Sequence, residues 1–264
     1  MAPHANDQLK IADVQFRSRL IVGTGKYRSN DEMRAAIADS GCEMVTLAVK
    51  RIKLESDDGQ LFMETLKGLP CRLLPNTAGC ATADEAVFVA QLARELFSTN
   101  WVKLEVIPDK RYLMPDPLET FAAATRLIGE GFTVLPYIGA DPVLARRLAE
   151  IGCATVMPLG SPIGSGRGVL TAAEIAMIIE DAAVPVVVDA GLGVPSDAAL
   201  VMEMGADAVL VNSAIALAGD SARMARAFRA GVAAGREAHL AQRMDRREHA
   251  APSSPVEDAP RRQA

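Results

Sequence analysis

The chain has 264 residues, half of them hydrophobic, which is ample for a large core and suits a single α/β barrel domain. A formal net charge of −5 argues against nucleic acid or an anionic membrane as the main partner. The opening MAPHANDQLK lacks the apolar core of a signal peptide and no run of about 18 apolar residues predicts a membrane span, so a cytoplasmic protein is expected.

Residues 1–8 read as a flexible N-terminus. From there short β-type runs alternate with helical stretches. The runs are Leu20–Val22, Met44–Val49, Cys71–Leu74, Trp101–Ile107, Phe132–Tyr137, Ala154–Leu159, Pro185–Asp189 and Ala208–Val211. Most are nearly all apolar, as befits strands covered on both faces. Between them, SNDEMRAAIADSG opens on a capping pattern and closes on Gly41. DPLETFAAATRLIGEG and DPVLARRLAEIG start on Asp-Pro and end at Gly, and PSDAALVMEMG follows a similar plan. Eight strand-then-helix repeats predict a (β/α)8 TIM barrel over residues 9–242, with an open doubly wound sheet as the rival. GTGKYRS, after the first strand, only partly matches a dinucleotide-binding turn. Residues 243–264 mix Pro, Ser, Ala and charge without periodicity and read as a disordered tail.

In such barrels the site lies where strands end, in the βα loops. The first strand ends in Gly23-Thr24-Gly25-Lys26, the sixth runs into PLGSPIGSGRG, the seventh ends in Asp189-Ala190-Gly191 and the eighth in Asn212-Ser213. Glycines let backbone N–H groups converge on an anion, and the last two βα loops are the habitual phosphate site of this fold. A phosphorylated small molecule is the expected ligand; taken singly, each glycine is also explained by a tight turn.

The fourth strand, NWVKLEVI, carries Lys103 and Glu105 on one face, about 6.5 Å apart along the chain. Pointing into a barrel, Lys103 is desolvated, and burial alone lowers its pKa toward a neutral amine able to attack a ketone. Glu105 and Asp189 are then placed to move protons. The competing reading is a structural ion pair, although buried pairs are poor sources of stability. Asp189 also has a structural reading, as an anchor for the turn that follows. The four cysteines (Cys42, Cys71, Cys80, Cys153) and three histidines form no metal-binding spacing, so no metal is expected. Cys80 has no histidine in the motifs to activate it, which favours a packing role.

Taken together, LIVGTGKY, LPNTAGCATADEAV, NWVKLEVI, GFTVLPY, VMPLGSPIGSGRGV, PVVVDAGLGVPSDAA and GADAVLVNSAIA resemble the thiazole synthase family of thiamine biosynthesis, from about residue 20 to residue 230. The resemblance implies a (β/α)8 barrel that joins three inputs: 1-deoxy-D-xylulose 5-phosphate, dehydroglycine (2-iminoacetate) and the thiocarboxylate of a small sulfur carrier protein. It places the imine-forming lysine on Lys103 and the acid–base carboxylates on Glu105 and Asp189. Sugar-phosphate contacts fall on Gly164, Ala190, Gly191, Asn212 and Ser213. It implies no metal or organic cofactor, a homo-oligomer such as a homotetramer, and a complex with the carrier or with the dehydroglycine-forming enzyme. Ser213 stands where threonine is commoner and keeps the hydroxyl; YIGADP, after the fifth strand, is less polar than the family pattern. Two rivals stand beside this reading: a class I aldolase-type barrel acting on a ketose phosphate, and a non-catalytic barrel subunit of a sulfur-transfer complex.

Overall fold

The structure, a computed structural model, describes residues 7–52 and 56–253. Residues 1–6 of the expected flexible N-terminus and 254–264 of the expected tail lie outside the described residues. Asp7 is held between Arg19 and Arg236, at 2.8 and 2.5 Å. Residues 243–253 are exposed and form no helix or strand.

The chain opens with an antiparallel hairpin, β1 (Leu9–Ile11) and β2 (Val14–Phe16). Eight parallel strands follow: β3 (Leu20–Gly23), β4 (Met44–Ala48), β5 (Arg72–Asn76), β6 (Trp101–Leu104), β7 (Thr133–Ile138), β8 (Met157–Pro158), β9 (Val187–Val188) and β10 (Ala208–Val211). They run β8-β7-β6-β5-β4-β3-β10-β9, and parallel bridges from Val156 to Val186 and from Leu159 to Asp189 close the ring. The barrel expected from the strand-helix alternation is the observed fold. The strands at the closure are shorter than the apolar runs predict, because there single bridges replace a continuous ladder.

Helices α1 (Asn30–Ser40), α2 (Asp57–Lys67), α3 (Ala83–Phe97), α4 (Pro117–Gly129), α5 (Pro142–Glu150), α6 (Ala172–Glu180) and α7 (Pro195–Met204) follow β3 to β9 in turn; α8 (Ser213–Ala216) and α9 (Ser221–Leu240) follow β10. Their ends obey the sequence signals. Ser29 accepts from Glu32 N to start α1, and Gly41 ends it in the left-handed conformation. Asp116 and Asp141 cap α4 and α5, each with proline at the first turn. Helix α9 packs closely on α7: a Cβ on Gly235 would lie 2.3 Å from Ala199 O, so only glycine fits.

Apolar packing has three parts. One lies between the sheet and α3 to α6, a second between the sheet and α1, α7 and α9. The third fills the lower half of the barrel lumen with Ile21, Met44, Leu74, Trp101, Leu135, Met157, Val187 and Leu210. The hairpin closes that end with Leu9, Ile11 and Phe16, and Phe16 meets Trp101 edge-on at 6.1 Å. Among the described residues no helix is long and apolar enough to cross a membrane.

Candidate active site

Strand alternation sets the site. Val102 and Leu104 of β6 face the helices, so Trp101 and Lys103 face the lumen. Lys103 is 5% exposed, Glu105 5% and Asp189 4%. The Lys103 ammonium sits 3.0 Å from Glu105 Oε1 and 2.5 Å from Asp189 Oδ2. The Asp189 contact is charge to charge, since Oδ2 makes no hydrogen bond of good geometry. Glu105 lies one residue past the end of β6, yet Thr77 continues the ladder for it. The Thr77 hydroxyl accepts from Glu105 N at 2.8 Å and donates to Glu105 O at 2.7 Å. Asp189 is fixed by its bridge to Leu159, and its Oδ1 accepts from Ala190 N at 2.6 Å. Ala190 adopts a left-handed φ of 60° to make that turn.

The expected fall in the Lys103 pKa is overturned. Burial does oppose the ammonium and is the largest single influence, but the charges of Asp189 and then Glu105, both at contact distance, together outweigh it. Lys103 is held above its ordinary value and rests as an ammonium between two carboxylates. The strand pattern encodes the desolvation of Lys103; the second carboxylate, closing in after β9, reverses its effect.

Above the cluster a cavity of about 760 Å³ opens at the C-terminal mouth of the barrel. It is lined by all eight residues expected at the site: Lys103, Glu105, Asp189, Gly164, Ala190, Gly191, Asn212 and Ser213. Gly191 has a φ of 77°, and a Cβ there would overlap Ser161 Oγ at 1.9 Å, so the close turn of loop on loop demands glycine. With its amide nitrogen facing the β3 loop, Asn212 donates to Gly25 O at 2.9 Å and Gly23 O at 3.3 Å.

Three more side chains belong here that the sequence did not single out. Lys26 lines the cavity and its Nζ lies 3.2 Å from Ser213 Oγ. Asn76, the neighbour of Lys103 across β5 and β6, also lines it. Tyr137 is fully buried beside them, its ring 5.5 Å from Lys103 Nζ. Burial, then the charges of Asp189 and Glu105, push the Tyr137 hydroxyl up, so it stays protonated. Lys26 and Tyr137 each stand at a strand end, the signal by which they were findable. Cys80 is buried and burial raises its thiol, in keeping with packing.

Fold and site define a parallel (β/α)8 barrel of the enzyme type, with buried charge and glycine-rich loops gathered at the strand C-termini. The family model described as "Thiazole biosynthesis protein ThiG" matches residues 10–255. The chain is 59% identical over 257 residues to a thiazole synthase of Synechococcus sp., covering 95% of this chain and 94% of that one. It is 54% identical over 260 residues to a bifunctional protein ThiO/ThiG of Trichormus variabilis, covering 96% of this chain and 40% of that longer protein. Among solved structures, a chain of the Amycolatopsis orientalis BexX/CysO complex superposes with a TM-score of 0.82 at 33% identity, over 91% of this chain and 98% of that one. The chain belongs to the ThiG family of thiazole biosynthesis proteins.

Proposed function

We propose that this barrel builds the thiazole phosphate of thiamine from 1-deoxy-D-xylulose 5-phosphate, dehydroglycine and a sulfur carrier thiocarboxylate, through an imine on Lys103. The observation that carries the reading is one buried amine in contact with two carboxylates beneath the glycine loops. Backbone amides around Gly164, Ala190-Gly191 and Asn212-Ser213 hold the phosphate. The Lys103 ammonium passes a proton to Asp189 or Glu105. No net proton leaves the cluster, so the free amine is reached by a transfer over contact distance, uphill from the resting ion pairs. The free amine adds to the C2 ketone and loses water to give the imine. A carboxylate removes the C3 proton, the electrons enter the protonated imine, and tautomerisation moves the carbonyl to C3. The carrier thiocarboxylate adds its sulfur to that carbon, and an S-to-O acyl shift breaks the carrier's C–S bond, so the carrier leaves as its carboxylate with the C3 oxygen. The sulfur left on C3 adds to the imine carbon of dehydroglycine, the dehydroglycine nitrogen displaces Lys103 at C2, and the C4 hydroxyl leaves as water.

The relative crystallised as BexX/CysO supports a protein partner for this barrel, and the bifunctional ThiO/ThiG relative supports a second partner enzyme, which we assign to dehydroglycine supply. A homotetramer presenting its mouths to both is the assembly we propose.

Borohydride trapping with the ketose phosphate, followed by peptide mass analysis, tests the reading. The adduct is expected on Lys103 and is expected to vanish in Lys103→Arg, which keeps a charge but no usable amine. In Glu105→Gln and Asp189→Asn, trapping is expected to survive better than turnover. An adduct on another residue, or an active Lys103→Arg, would refute the imine role. Retro-aldol products without a sulfur requirement would select the aldolase-type alternative.

A further inference from the structure

The β3 loop, Thr24-Gly25-Lys26, plays no part in the chemistry above, yet it faces the same cavity. Lys26 has a φ of 72°, the left-handed region that disfavours a residue with a Cβ. From that backbone its side chain crosses the mouth. Its Nζ donates to Ser213 Oγ at 3.2 Å, and a Cβ on Gly164 would sit 3.5 Å from it. Lys26 thus joins the loops after β3, β8 and β10 at one point. No carboxylate pairs with it among the described residues. Lys103 differs, since Glu105 and Asp189 already oppose its charge. A second cation, Arg51, lines the same cavity, its Nη1 3.8 Å from where a Gly25 Cβ would be. Backbone amides carry only partial charge, so a phosphate dianion held by them alone is under-compensated, whereas an unpaired ammonium at their focus supplies what they lack.

We infer that Lys26 is the charge-reading residue of the phosphate subsite, which makes the cavity select a phosphate-bearing ketose over its neutral counterpart. This rests on the phosphate reading proposed above and adds a specificity determinant to it. The strained backbone is then the geometric condition for aiming the ammonium across the mouth.

Calorimetry with inorganic phosphate tests it without relying on the imine. Lys26→Met and Lys26→Gly are expected to weaken phosphate binding by about 10- to 100-fold, the range for a hydrogen bond to a charged group. Lys26→Arg is expected to retain most of the affinity. Lys26→Gly is expected to melt no lower than wild type, because glycine accepts the left-handed backbone, so its loss of binding is not a loss of folding. Equal phosphate affinity in wild type and Lys26→Met, or no phosphate binding by wild type, overturns the inference. A second arm compares trapping of 1-deoxy-D-xylulose 5-phosphate with trapping of unphosphorylated 1-deoxy-D-xylulose. In Lys26→Met the half-saturating concentration is expected to rise for the phosphorylated ketose alone; an equal rise for both overturns the inference. Phosphate binding that depends on Lys26, with no ketose adduct in wild type, would sink the imine reading and leave this one standing.

Discussion

The two halves of the barrel lumen are built by the same strands and do opposite things. On β6, Trp101 joins the apolar floor with Ile21, Met44, Leu74, Leu135 and Val187. Two residues further, Lys103 faces the same lumen with Glu105 and Asp189 around it. The floor stabilises the fold by removing apolar surface from water, and the hairpin residues Leu9, Ile11 and Phe16 complete it. The upper half buries three charges, whose desolvation costs several kcal/mol per ion before pairing offsets it. A single strand therefore divides along its length: apolar packing at its N-terminal end, and at its C-terminal end the buried charges to which we assign the proposed chemistry.

Removing the cation alone should give the largest effect. Lys103→Met leaves two carboxylates buried without compensation and is expected to lower stability by about 3–5 kcal/mol, besides abolishing the adduct. Adding Glu105→Gln and Asp189→Asn to Lys103→Met removes the stranded charges and is expected to recover most of that loss. Urea denaturation of the single and triple variants measures both. A single variant as stable as wild type would mean that the carboxylates do not depend on Lys103. The wild type carries a further signature. Lys103 is raised above the ordinary lysine value of 10.5, so its contribution is complete below that pH and is lost as pH climbs beyond it. Lys103→Met lacks that alkaline loss.

The floor predicts the converse. Trp101→Ala opens a cavity beneath Phe16 and is expected to cost about 3–5 kcal/mol. Measured at a temperature where the variant is folded, trapping per folded molecule is expected to stay near wild type. A variant that is folded but no longer trapped would show that the two halves are mechanically coupled.

Much of this division is legible in the sequence. The apolar runs located all eight strands of the closed barrel, and Asp-Pro and Gly marked the ends of α4 and α5, because those signals act over a few residues. Lys103 and Glu105 were legible from strand alternation, and Asp189 from its position at a strand end. The hairpin was missed although Leu9, Ile11, Val14 and Phe16 alternate around Ala12, which turns at a φ of 51°; three-residue strands carry too little pattern beside long buried ones. The protonation of Lys103 differs from the strand-based expectation because it depends on how far β9 lies from β6 across the lumen, a long-range distance that no local pattern encodes. Lys26 and Tyr137 stand near strand ends, which marks them as candidates, but their partners, Ser213 after β10 and Lys103 on β6, are equally long-range.

The boundary between the halves gives the smallest and most discriminating test. Thr77 is fully buried, and its one hydroxyl answers both the N–H and the C=O of Glu105. Thr77→Val keeps the shape and removes both bonds, which should cost about 1–3 kcal/mol for the backbone groups left unpaired. Glu105 has no strand beneath it, since β6 stops at Leu104, so its carboxylate should lose its fixed direction as well. Lys103 remains anchored on β6 and in contact with Asp189, so trapping is expected to persist while ring closure slows by roughly tenfold, a partial loss of the roughly 100- to 10,000-fold typical of general acid–base assistance. Turnover equal to wild type in a destabilised Thr77→Val would assign Thr77 to the fold alone. Slowed turnover with intact trapping would place the line between stability and chemistry at this hydroxyl, where a ladder that has run out of strand is continued by a side chain.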